Sequence, residues 1–91
     1  LLEHWHSRDG VAWQMQGQIG PWSPPGVLWE VPVLLRLGGR TILILSQVDR
    51  RQGHSDCRVV WWAGTGLFTP DAGQPAEGWP LDLGPDFYAA I

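Results

Sequence analysis

Glu30 stands between Trp29 and Val31 in the run Leu28-Trp29-Glu30-Val31-Pro32, which is otherwise apolar. Desolvating a carboxylate is costly, so a charge kept in such company has either a partner or a chemical task. The bland reading is an edge carboxylate that faces water or pairs with Arg36 or Arg40. Further along comes Leu81-Asp82-Leu83-Gly84-Pro85-Asp86-Phe87-Tyr88-Ala89-Ala90, with two more carboxylates close to aromatic residues. Asp82-Leu83-Gly84 on its own is ordinary turn chemistry, and Asp86 reads as structural.

Other groupings of reactive types are weaker. His4-Trp5-His6 puts two imidazoles on one face of a strand, yet no further ligand cluster accompanies them, so no metal site is expected. His54, Ser55 and Asp56 adjoin one another, but the members of a catalytic triad meet in space rather than in sequence. Gly64-Thr65-Gly66 lacks the strand-to-helix context of a phosphate loop.

The elements that must position these residues are strands. No stretch sustains apolar spacing of three and four, so little or no helix is expected. Strands are predicted at Leu1 to Trp5, Trp13 to Ile19, Trp29 to Leu37, Thr41 to Val48, Arg58 to Ala63 and Leu67 to Thr69. Gly38-Gly39 makes a tight hairpin turn between the third and fourth. Pro21 to Gly26 and the long Pro70 to Pro80 stretch read as connections, because prolines cannot join a ladder. Another strand unit begins at Leu81.

Bulk properties narrow the possibilities. Ninety-one residues make at most one small domain. The first residue is leucine and the chain stops within the apolar run Tyr88-Ala89-Ala90-Ile91, so it is expected to be an internal piece of a longer protein. A net charge of −3 with only six basic residues argues against a nucleic-acid partner. No segment reaches the ~20 apolar residues needed to span a bilayer, so no membrane partner is expected. Cys57 is the single cysteine, so no disulfide framework exists here, and the compartment stays open. Seven tryptophans are the compositional outlier and suit either a sheet core or a sugar platform. Most are expected in the core, with Trp61 and Trp62 facing opposite sides of one strand and Trp22 or Trp29 as possible stacking surfaces.

Thr41-Ile42-Leu43-Ile44-Leu45 and Val59-Val60-Trp61-Trp62 are apolar on both faces. Antiparallel strands of that kind must be covered on both sides, as when sheets stack. Pro32 lies within a strand, which is tolerable only where its missing N–H faces no partner. The strand carrying Glu30 is therefore expected at a sheet edge. A small covered sheet with an edge strand bearing a carboxylate describes one blade of a β-propeller, whose innermost strand borders the central channel. At ~40–50 residues per blade, the chain would hold one blade and parts of two neighbours. A slice of a β-sandwich is the structural alternative.

The order of these signals resembles glycoside hydrolase family 32, the invertases, inulinases and levanases. Ser7-Arg8-Asp9-Gly10-Val11-Ala12-Trp13 with Gly17 resembles the family's Ser-x-Asp-Leu-x-x-Trp…Gly segment. Trp29-Glu30-Val31-Pro32 is similar to its Trp-Glu-Cys-Pro motif, with Val31 in place of cysteine, and Val33 replaces the usual following aspartate. Ile42 to Ser46 resembles the next strand, and Phe68-Thr69-Pro70 the end of that blade. Asp82 to Ala90 is similar to the Asp-x-Gly-x-Asp-Phe-Tyr-Ala-Ala opening of the blade after it.

The resemblance implies an all-β fold, a fragment of a five-bladed β-propeller. It divides the chain into the end of one blade at 1–27, one blade at about 28–70 and the start of the next at about 81–91. It also implies a retaining glycosidase acting on β-fructofuranosides such as sucrose, sucrose 6-phosphate or fructans. Such enzymes hold a nucleophile and an acid/base carboxyl ~5 Å apart. Glu30 corresponds to the acid/base, and Asp82 to a substrate-binding residue that accepts hydrogen bonds from sugar hydroxyls. The family's nucleophile motif would precede Leu1, so this piece alone is expected to be inactive. The partner implied is a carbohydrate; no cofactor or metal is implied, and the oligomeric state is not readable. The reading from a different class is a non-catalytic carbohydrate-binding or interaction module. An upstream frame carrying Asn-Asp-Pro-like and Arg-Asp-Pro motifs separates the two.

Overall fold

The computed structural model describes residues 2–20, 25–51, 53 and 56–81. Among these residues the fold is all-β and antiparallel, with no helix. The strands are β1 (Leu2–His6), β2 (Gln14–Ile19), β3 (Val27–Leu37), β4 (Arg40–Asp49), β5 (Asp56–Thr65), β6 (Thr69–Pro70) and β7 (Trp79–Pro80). β1 and β2 form a two-stranded sheet. A second sheet runs β3-β4-β5-β6, and β7 also pairs with β5.

Gly38 and Gly39 both take positive φ, 55° and 77°, and close the β3–β4 hairpin as their sequence suggests. The ladders then run further than composition alone indicates. β4 extends through Asp49, and β5 begins at Asp56, because the β4–β5 pairing continues in register from Thr41↔Gly64 to Asp49↔Asp56. The polar residues at both ends remain part of the ladder since backbone pairing does not require apolar side chains.

Alternation along β4 and β5 sends Leu43, Leu45, Val60 and Trp62 to one face. That face meets Ile19 of β2 and Phe68, with Leu2 and Trp29 packed at its margin, and these residues are the core. The two sheets therefore stack, which covers one side of the two-faced apolar strands. Trp62 lies at the centre, 2% exposed, with its ring 5.3 Å from that of Trp29. Its indole N–H donates to the Pro75 carbonyl at 3.1 Å, so its one polar group is satisfied.

The tryptophans divide differently from the expectation of a mainly buried set. Trp5, Trp13 and Trp79 are exposed by 48, 55 and 42%, and only Trp62 among the described ones is fully buried. Trp61 and Trp62 do face opposite ways: Trp61 leaves the core and packs against Trp79 at 6.3 Å. Trp22 lies outside the described residues.

The stretch Pro70 to Pro80, which reads as a surface connection, joins strands at both ends: Pro70 belongs with Thr69 to β6, which is shorter than the strand expected at Leu67 to Thr69, and Trp79–Pro80 form β7. Both attach to β5, at Gly64–Thr65 and at Val60–Trp61. Gly64 is needed where β6 arrives, since a Cβ there would come within 2.4 Å of the Thr69 carbonyl oxygen.

Candidate functional site

Glu30 lies in the first half of β3, directly opposite Ser46 of β4, and is half-buried. Among the described residues β3 pairs with β4 alone, so its other flank is a sheet edge. The register breaks immediately after Glu30. Glu30 pairs with Ser46 and Val33 pairs with Ile44, leaving Val31 and Pro32 together opposite Leu45. This is a β-bulge with one extra residue, and it is where the proline without an N–H is accommodated.

Val31 carries the cost of the bulge. Its φ is 51°, and it is the only non-glycine with positive φ among the described residues. A β-branched side chain in that region is a true outlier, because its Cβ crowds the backbone. Residues held so are maintained by surrounding structure and cluster at functional sites. Here the consequence is local: the extra residue interrupts the alternation of β3, so that Glu30 and Val33, opposite Ser46 and Ile44, fall on the same face of the sheet.

The surroundings of Glu30 mix apolar and polar groups. Trp29 and Val31 flank it in the chain, and Ser46, opposite it, is 1% exposed. Beside Ser46, Gln47 is also buried, and its Oε1 accepts a bond from Arg58 Nε at 3.3 Å. These two buried polar residues interrupt the apolar run of β4 that begins at Ile42, Ser46 on the face that Glu30 shares and Gln47 on the core face. Nothing in the motif marks them, although the change from Leu45 to Ser46-Gln47 inside a strand was a signal available in the sequence.

Of the two arginines that could have paired with Glu30, Arg40 instead forms an ion pair with Asp71. Arg36 sits six positions further along β3, about 20 Å away at the usual strand rise. Neither therefore neutralises Glu30. Asp82, the predicted substrate-binding residue, lies outside the described residues, as do Asp86, His54 and Ser55. The structure thus positions one of the two predicted site residues.

Asp9, in the Ser7-Arg8-Asp9 segment, serves its own loop. Its Oδ1 accepts the N–H groups of Val11 and Ala12 at 2.8 and 3.0 Å and the Ser7 hydroxyl at 3.1 Å. These bonds, led by that from Val11, lower its pKa below the ordinary aspartate value. No cluster of three or more metal-ligating side chains exists among the described residues. No helix among them is long and apolar enough to cross a membrane.

No family model, curated protein or solved structure matches the chain.

Proposed function

We propose that the chain is part of a retaining glycoside hydrolase acting on β-fructofuranosides, to which it contributes the general acid/base Glu30. In this reading β3 is the innermost strand of a blade in a five-bladed propeller, and the free flank of β3 borders the central channel. The observation that carries the proposal is the bulge at Val31-Pro32 beside a half-buried carboxylate on an edge strand. A strained β-branched residue costs of order 1–3 kcal/mol and is kept where the geometry it imposes is used. It falls within the Trp-Glu-x-Pro element that carries the family resemblance.

Glu30 would first protonate the glycosidic oxygen as the bond to the anomeric carbon breaks. It would then take a proton from the water that attacks the glycosyl-enzyme intermediate. The nucleophile that forms that intermediate would come from a preceding blade of the longer protein. Asp82 would hold sugar hydroxyls near Glu30, so that the scissile oxygen stays within reach of the acid.

The test is Glu30→Gln in the longer protein, with hydrolysis of sucrose and a fructan as the readout. Turnover is expected to fall by about 10²–10⁴-fold, the usual contribution of a general acid/base, while the melting temperature stays at the wild-type value. Unchanged turnover on both substrates would remove Glu30 from the mechanism. Measurable sugar binding without hydrolysis in the unaltered protein would favour the non-catalytic module.

A further inference from the structure

We propose a second site, independent of Glu30, that binds the phosphate group of a small molecule in the cleft between the β1–β2 sheet and the far half of β3. The cleft has a volume of about 520 Å³ and is lined by His4, His6, Gln16, Leu34, Arg36 and Leu67. Three strands supply its polar groups: the histidines from β1, Gln16 from β2 and Arg36 from β3.

The donor set decides the ligand. Arg36 brings a guanidinium that is always charged, with several N–H donors. It forms no ion pair among the described residues, whereas Arg40 and Arg51 are engaged by Asp71 and Asp49. Among the described residues no carboxylate lines the cleft, although the chain as a whole is net negative. Nδ1 of His4 is buried without a hydrogen-bond partner among the described residues and is closed to solvent, so it takes no part in holding the ligand. Gln16 uses its Nε2 on the Gln14 carbonyl at 3.4 Å, which leaves its Oε1 and a second N–H for other partners.

Donors arriving from three strands approach from different directions, which suits a tetrahedral acceptor better than a flat carboxylate. Leu34 and Leu67 give the same cleft an apolar wall on which the remainder of the ligand can rest. Arg36 lies about 20 Å along β3 from Glu30, so the two sites do not share a ligand of small size.

The probe is inorganic phosphate, titrated against the protein with ³¹P line width as the readout and chloride as the ionic-strength control. Saturable broadening is expected, with half-saturation at about 1 mM or below. Arg36→Gln is expected to weaken it at least about tenfold, as for loss of one charge-assisted hydrogen bond. His6→Gln is expected to weaken it to a smaller degree. Arg50→Gln removes the same charge just after β4, at the opposite end of the β3–β4 pair from Arg36, and should leave binding unchanged; circular dichroism verifies the fold of each variant. Broadening that never saturates, or an equal loss in Arg36→Gln and Arg50→Gln, overturns the proposal.

Discussion

Asp49, at the end of β4, is held by a neighbour two residues away. Arg51 donates to its carboxylate through Nε at 3.0 Å and a terminal nitrogen at 2.6 Å, and its backbone N–H adds a third bond at 3.0 Å. The side-chain bonds come first among the causes that lower the Asp49 pKa from 3.8 to about 2. Because the folded value is depressed, the ionised form is the one the fold favours. Its stabilising effect is complete above the ordinary aspartate range and disappears as pH falls through about 2. A carboxyl ¹³C titration should place the Asp49 midpoint near 2, and Arg51→Gln should return it towards the ordinary value. Added salt should weaken the effect, since both partners reach solvent. A wild-type midpoint near the ordinary value would mean that the Arg51 fork does not persist. Residue types made Glu30 conspicuous in the sequence, but not the conformation beside it. Val31 gives no sign of a positive φ, because that signature belongs to glycine and asparagine; only the adjacent Pro32 hinted that the ladder breaks there.

Among the elements, the β3–β4 hairpin was the most legible. Gly38-Gly39, the apolar runs on either side and the proline in β3 together specified turn, partners and edge. The outer border of the second sheet was not, because it is assembled from two separate two-residue strands within a proline-rich stretch. A side chain fills the interval between them. Gln74 Oε1 accepts the Ala63 N–H at 2.8 Å, and its Nε2 donates to the Ala63 carbonyl at 2.7 Å and to that of Asp71 at 3.1 Å. The amide thus replaces a residue of backbone in the ladder, a role that no sequence pattern announces. The Ala63 carbonyl also receives the Asp71 N–H at 2.9 Å, whereas among the described residues the Ala63 N–H has the Gln74 amide as its partner. Gln74→Ala should therefore leave a part-buried donor unsatisfied and cost about 1–3 kcal/mol, read as a lowered melting temperature. An unchanged melt would show that water serves the Ala63 N–H equally well.

For the whole molecule, the stacking of two sheets satisfies one face of β4 and β5 and leaves large apolar residues elsewhere. Leu28, Leu35, Leu37 and Trp79 are exposed by 39 to 61%, and alternation places them on the side of the second sheet away from the core. Large apolar side chains exposed on one face of a sheet favour association. Sedimentation of the 91-residue chain alone should therefore show larger species as concentration rises, together with binding of a hydrophobic dye. A monodisperse monomer with a sharp cooperative melt would oppose the reading of the chain as one part of a ring. The all-β class and the demand for stacked sheets were readable from strands apolar on both faces. The distribution of the tryptophans was not, since seven indoles in so short a chain exceed what one small core encloses. The unequal stitching of the second sheet also has a mechanical consequence. β5 is joined to β4 by nine paired positions but to β6 and β7 by two each. Tension applied through the C-terminal side would peel that border away first, releasing β7, then the Gln74 amide and finally β6, while the three long strands still hold.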